Sequence, residues 1–276
     1  NKIDNIKNFY LNSKFYFNKG VKLKILHISQ FDERNDHRLF NISISNKLSK
    51  GFIRNEHDVI NLSYRDLLSK FSLNEKNHLI NKKINSIVDN YRPNLIIFGH
   101  NNLLYSSNIE RIKSKYKSKF VLWYEDALGW RGKGPSWRNN LNLIEKNHQH
   151  IDSYFTTTHP DEIKSIINKK KLFYLPIPVD PNIENLEIYN KKYKYKDLFF
   201  ALSHGVNFGG LKKGKYDERE IFIKDLMKKY PRVNYNILGI SNEEPKWNYN
   251  YYNELSKCKM ALNLSRGLPI KLTSSN

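Results

Sequence analysis

The feature that most narrows the fold is the alternation, from Lys22 onward, of short apolar runs with longer amphipathic stretches. Residues 23–29 (LKILHIS), 57–62 (HDVINL), 95–99 (LIIFG), 120–124 (FVLWY) and 153–157 (SYFTT) read as strands. LIIFG is continuously apolar, as a strand covered on both faces should be. Between the runs, Leu39, Phe40, Ile42, Ile44 and Leu48 recur at three- and four-residue spacing, and Ile80, Ile84, Ile87 and Tyr91 do so ahead of Pro93. Both patterns predict helices with one buried face. A lysine-rich helix is expected over 107–119 and another from Pro160, with Glu162 in its first turn. Strands separated by helices of this length imply βαβ units and a parallel sheet.

A short run at 172–175 is followed by LPIPVDP at 175–181, whose three prolines predict a stiff connector. The pattern then restarts with a strand at 198–202, a glycine-rich segment, and a helix near Asp217. Asp217 and Glu220 have capping-box spacing, and Ile221, Ile223, Leu226, Met227 and Tyr230 follow before Pro231. Further strands are expected at 234–238 and 260–264, separated by a tyrosine-rich helix near 251–256. The expected fold is α/β, with two Rossmann-like domains. The expected boundaries are an extension over 1–20, an acceptor domain over 21–176, a hinge over 177–196 and a partial donor-binding domain over 197–276. The chain starts at Asn1 and stops at Asn276, and a fragment, inactive as such, is the expectation.

No apolar run approaches the roughly 18 residues of a membrane span, which favours a soluble or peripheral protein. Cys258 is the only cysteine, so an internal disulfide and a Cys-based zinc site are excluded, and a reducing compartment fits. The net charge of +20 favours anionic partners, yet lysine is spread thinly along a chain also rich in Asn, Ile and Tyr, so charge alone names none.

In open α/β sheets ligands bind outside the carboxyl ends of the strands, and the candidate residues are the ones expected there. The segment after the first strand, containing Asp36, has no glycine and lacks the GxGxxG turn of a dinucleotide site. Asp36 either caps the next helix or serves an acceptor site. His100 and Asn101 follow the third strand, where an imidazole can act as acid, base or hydroxyl ligand. Glu125 and Asp126 follow the fourth, with Trp130 and Trp137 nearby. A carboxylate beside an indole suits a sugar, although a strand-end ion pair would look the same.

The strongest signal is DLFFALSHGVNFGGLKKGK at 197–215. An apolar strand runs into a loop holding Gly205, Gly209, Gly210, Lys212 and Lys213, which suits phosphate. Its spacing is not that of a Walker loop, so nucleotide hydrolysis is poorly supported. Ser265 and Arg266 would add a second anion contact after the last strand, Arg266 through its planar fork. The absence of Asp-x-Asp and of paired-histidine spacing predicts no metal site, and charge stabilisation by lysine, arginine and a helix dipole instead. Arg111, Lys113, Lys115, Lys117 and Lys119 would give the 107–119 helix a basic face for anionic lipid, or merely a solvated one.

KILHIS, LPIPVD and FFALSHGVNFGGLKKGKYDERE resemble the two-domain GT-B glycosyltransferases, and among them the CgeB/spore-maturation-like and group 1 transferases of bacterial surface polysaccharide clusters. The resemblance implies a nucleotide-diphosphate sugar as co-substrate, with no cofactor, and a saccharide, lipid-linked or protein acceptor. It implies a cytoplasmic hexosyltransferase, with peripheral contact to an anionic membrane left open and no nucleic-acid partner. By position, His204, Gly205, Asn207, Gly209, Gly210, Lys212, Lys213, Ser265 and Arg266 would bind donor. Asn101, Glu125 and Trp130 would bind acceptor, and Asp126, His100 or Asp36 would serve catalysis. A UDP-sugar 2-epimerase on the same architecture and a basic nucleic-acid-binding module are the alternatives.

Overall fold

The computed structural model describes residues 20–31, 43–69, 76–99, 104–126, 128–129, 136–182, 184, 187–202, 217–240, 243 and 245–264. Six strands form one parallel sheet: β1 (Lys24–Ser29), β2 (Asp58–Ser63), β3 (Leu95–Gly99), β4 (Lys119–Tyr124), β5 (Ser153–Thr156) and β6 (Leu172–Tyr174), in the order β2-β1-β3-β4-β5-β6. A second parallel sheet contains β7 (Lys196–Ala201), β8 (Tyr235–Leu238) and β9 (Cys258–Ala261), in the order β8-β7-β9. The expected α/β class and the two parallel sheets are observed.

In both sheets the chain steps first to one side of its opening strand and then crosses to the other. The first sheet is buried by α1 (Ile44–Arg54), α2 (Tyr64–Leu68), α3 (Lys76–Tyr91), α4 (Ser106–Tyr116) and α5 (Ser136–Glu145). Ile80, Ile84 and Val88, four residues apart on α3, are fully covered, as are Ile109 and Ile112 of α4, Phe98 of β3 and Phe120 of β4. Each such aliphatic side chain stabilises the core by about 1.5–3 kcal/mol. The second sheet rests on α6 (Glu218–Lys229) and α7 (Asn248–Ser256), through Phe199, Phe200 and Ile223.

Several local expectations are corrected. The helix expected over 107–119 stops at Tyr116, because Lys117 takes a left-handed conformation (φ 59°) and Lys119 pairs in β4. Four of its five cations are already engaged: Arg111 and Lys115 with Asp89, Lys113 and Lys119 with Asp152. The helix expected from Pro160 is a single 3-10 turn, Pro160–Glu162. Beyond it, the side chains of Ser165 and Asn168 accept the N–H groups of Ile167 and Lys170, competing with helical pairing. Helix α5 lies in a stretch read as loop. The last strand falls two to three residues earlier than expected. On α6, Ile223 is buried, but Ile221, Met227 and Tyr230 are exposed.

The proline connector is held against α1. Asp180 is wholly covered and accepts from Arg54 Nη2 at 2.8 Å and from the Asn182 N–H at 2.9 Å, with Lys50 Nζ at 3.5 Å. Glu184 pairs with Lys47 and accepts the Asp180 N–H at 2.5 Å. Further on, Lys191 Nζ donates to Ser256 Oγ of α7 at 3.0 Å. The first half of the connector thus belongs with the six-stranded unit and the second half with the three-stranded one.

Burial pushes the Asp180 carboxyl up, but the Asn182 N–H, Arg54 and Lys50 outweigh it and hold the group below the ordinary carboxylate value. A depressed folded value means stability present above the unfolded value near 3.9 and lost as pH falls through the folded one. Asp180→Ala should therefore lower the unfolding free energy by about 1–3 kcal/mol near neutral pH. Urea denaturation below about pH 4 should show the variant and wild type converging.

Candidate functional site

Strand order reverses between β1 and β3 in the first sheet and between β7 and β9 in the second, so each sheet opens a crevice outside the carboxyl ends of those pairs. The segments leaving β1, β3, β7 and β9, and that leaving β4 beside β3, are the ones in which the sequence places its candidate residues.

Beneath the first crevice lies a buried polar seam between β1 and α1. The face α1 turns to the sheet is Ser45 and Ser49, not the Leu48 stripe. Ser49 Oγ donates to Asn61 Oδ1 at 2.8 Å, so its single proton is spent there, and it accepts from His27 Nδ1 at 2.7 Å. His27 is then the Nδ1–H tautomer, neutral, with Nε2 buried and without a protein partner among the described residues. Burial pushes its pKa down to about 3. Alongside it, Ser29 Oγ lies 2.6 Å from Ser45 Oγ and donates to Gly99 O at 3.3 Å. A Cβ on Gly99 would fall 2.2 Å from Ser29 Oγ, so the glycine that ends β3 is the partner this serine requires.

Around the rim, the Phe31 N–H donates to Ser63 Oγ at 3.1 Å and Ser63 Oγ donates to the buried Asp66 carboxylate. Glu125 is half-buried and Asp126 exposed at the carboxyl end of β4. Thr157 Oγ1 donates to Glu125 O at 2.6 Å, and the Leu128 N–H donates to Thr158 Oγ1 at 3.1 Å, tying this turn to β5. The phenol of Tyr124 is pushed well above its ordinary value by burial first, then by the charges of Asp126, Glu125 and Tyr64. Tyr64 is raised by burial and by Glu125, against the lowering effect of Arg65. Two carboxylates and two protonated phenols therefore gather at one strand-end rim, a set able to take a proton and to hydrogen-bond hydroxyls.

Of the expected site residues, Glu125 and Asp126 are described and stand close together on this rim. Asp36, His100, Asn101, Trp130, His204, Gly205, Asn207, Gly209, Gly210, Lys212, Lys213, Ser265 and Arg266 lie outside the described residues. Trp137 sits in the first turn of α5, half-buried against the core. Tyr64, Asp66 and Thr157 were missed by sequence reasoning. The spacing Ser63-Tyr-Arg-Asp66, directly after an apolar strand, was the available signal. Among the described residues no three His, Cys, Asp or Glu side chains are grouped to hold a metal.

In the second unit the cap expected at Asp217 is observed. The N-terminus of α6 is already capped: Asp217 accepts the Arg219 N–H at 3.0 Å, while the Arg219 guanidinium folds back on the same carboxylate at 2.9 and 2.6 Å. Glu218 and Glu220 add negative charge in the first turn.

Two outcomes follow from the seam. Gly99→Ala should cost about 1–3 kcal/mol by forcing Ser29 aside, and Ser29→Gly in the same chain should recover most of it, as read by urea midpoints. A buried His27 with a lowered pKa supplies stability that is complete above the unfolded value near 6.5 and declines as pH falls from there toward 3. His27→Phe should remove that acid sensitivity, leaving a flatter profile of unfolding free energy against pH in the same window.

No family model matches the chain, and no curated protein matches it in sequence. Among solved structures it resembles the UDP-GlcNAc 2-epimerase of Neisseria meningitidis bound to UDP-GlcNAc, with TM-score 0.52 and 13% identity over 88% of this chain and 78% of that one. It also resembles a protein of Listeria monocytogenes ascribed UDP-N-acetylglucosamine 2-epimerase activity, with TM-score 0.50 and 12% identity over 87% of this chain and 74% of that one. At such identity the likeness is one of fold, and it is to two-domain structures of the GT-B type.

Proposed function

We propose that the protein is a nucleotide-sugar enzyme, transferring a glycosyl group from a nucleotide-diphosphate sugar to an acceptor hydroxyl. The observation that supports this most is the position of β7. It is the middle strand of its sheet, its neighbour β9 lies across the order reversal, and it runs directly into the segment carrying Gly205, Gly209, Gly210, Lys212 and Lys213. Ser265 and Arg266 follow β9 on the adjoining side of the same reversal. A crevice at such a reversal is where open α/β sheets take their ligands. The glycines let backbone N–H groups approach the diphosphate and the lysines neutralise it.

In this reading the rim of the first unit receives the acceptor. Asp126 or His100 takes the proton of the attacking hydroxyl, which attacks the anomeric carbon as its bond to the diphosphate oxygen breaks. Lys212, Lys213 and Arg266 stabilise the charge that develops on the departing diphosphate. No metal is needed in this scheme.

A second reading is favoured by two structural neighbours at TM-score 0.50 and above, each named as a UDP-GlcNAc 2-epimerase. Both readings share the donor site and differ in whether a second substrate is consumed. Calorimetric screening against UDP-, GDP-, dTDP- and CMP-sugars should identify one bound nucleotide, and Lys212→Ala with Lys213→Ala should weaken it at least about tenfold. Unchanged affinity in that double variant would sink the loop assignment. Product analysis without acceptor then separates the readings, since an altered sugar with no acceptor present means epimerisation. Asp126→Asn should keep donor binding and, if Asp126 is the base, reduce turnover by about 10²–10⁴.

A further inference from the structure

The second sheet has another end. At the amino-terminal ends of β7, β8 and β9, opposite the crevice, the chain brings together three segments whose side chains the proposed reaction does not use. Residues 189–196 read YNKKYKYK, the one stretch in which tyrosine and lysine interleave. Tyr193 is 88% exposed and Tyr195 60%. The last turn of α6 adds Lys228 and the turn after it Tyr230 and Arg232, with Tyr230 48% exposed. Hydrogen bonds tie these segments together: Asn234 Nδ2 donates to Tyr195 O at 3.1 Å, Lys196 Nζ to Asn234 Oδ1 at 2.9 Å, the Lys196 N–H to Lys257 O at 3.0 Å, and Tyr235 OH to Tyr230 O at 3.2 Å.

The acids near this face are committed. Asp197 is taken by Lys259 and the Asn234 N–H, and Glu254 by Lys246 and Lys257. Asp225 lies one turn up α6, and Glu187 sits at the far rim beside Asn190. By contrast, Lys192, Lys194, Lys228 and Arg232 make no ion pair or hydrogen bond among the described residues. Uncompensated cations set among exposed phenols match the headgroup layer of an anionic bilayer, where amphipathic rings rest and lysine stems lie along apolar surface with the charge at phosphate. Met227, 38% exposed in the last turn of α6, adds a group that suits acyl chains and offers nothing to a nucleobase.

We infer that this face docks the protein on an anionic lipid surface, leaving the crevice at the opposite end of the sheet open. The inference stands apart from the proposed reaction and survives its failure. It also differs from lipid contact through α4, whose cations are paired internally.

The test is flotation of the full chain with vesicles holding about one third phosphatidylserine in phosphatidylcholine. Wild type should bind these vesicles, release as salt rises, and ignore pure phosphatidylcholine. Lys192→Gln, Lys194→Gln, Lys228→Gln and Arg232→Gln together should weaken binding at least about tenfold. A charge-matched control, Lys82→Gln, Lys83→Gln, Lys164→Gln and Lys170→Gln on the first unit, should bind as wild type does. Tyr193→Ser with Tyr195→Ser should weaken binding while leaving its salt dependence intact. All these side chains are exposed except that of Lys194, which is half-buried, and unchanged melting curves establish that each variant folds. Absence of wild-type binding, equal loss in the control, or preferential binding of duplex or single-stranded nucleic acid over the vesicles would each overturn the inference.

Discussion

Parallel pairing is the constraint from which the rest of this molecule follows. A parallel strand cannot return to its neighbour through a tight turn, so every connection crosses a face of the sheet and covers it, usually with a helix. Because β1 has β2 on one side and β3 on the other, its two neighbours are reached by crossovers that diverge at its carboxyl end. The same 2-1-3 opening is repeated in β8-β7-β9. Two crevices therefore exist for topological reasons, before any catalytic residue is considered, and both of the basic and acidic signals in the sequence fall beside them.

The two units solve the packing problem differently. The first buries a long aliphatic and aromatic cluster running from Leu26 to Leu172 and can accommodate a polar seam within it, since each member but His27 Nε2 finds a partner. The second relies on two small clusters around Phe200 and Phe199. Polar groups in a covered site must be satisfied or neutral. His27 meets that demand by losing its charge and Ser49 by donating to Asn61. Asp180 meets it by recruiting Arg54 and Lys50 around a carboxylate that stays ionised.

Much of this was legible from the chain. LIIFG and FVLWY announced β3 and β4 because a strand buried on both faces has no room for polar residues. Ile80 and Ile84 announced α3 because its stripe faces only one way. What the pattern concealed has identifiable causes. The α1 face was misread because Ser45 and Ser49 satisfy His27 and Ser29, and a serine-lined contact carries no apolar period. The helix expected after Pro160 had a good start signal and apolar Ile163 and Ile167, but Ser165 and Asn168 offer backbone N–H groups a nearer acceptor. At the candidate site, the acidic pair Glu125-Asp126 was readable from its place after a strand. Tyr64 and Asp66 were not, since Tyr64 depends on Glu125, 61 residues on, and Asp66 on a serine that is itself held by Phe31, 32 residues before it.

The division of the connector carries a mechanical consequence. Glu184 is tied to Lys47 on one unit, and from Ile188 the chain packs beside α7 of the other. Between Glu184 and Glu187 only three residue steps remain, a reach of about 11 Å at full extension. A leash that short permits swinging and forbids drifting, so a substrate held on one unit meets the other at an effective concentration set by covalent tethering, not by diffusion. The prolines stiffen the part of the connector that Asp180 holds against α1.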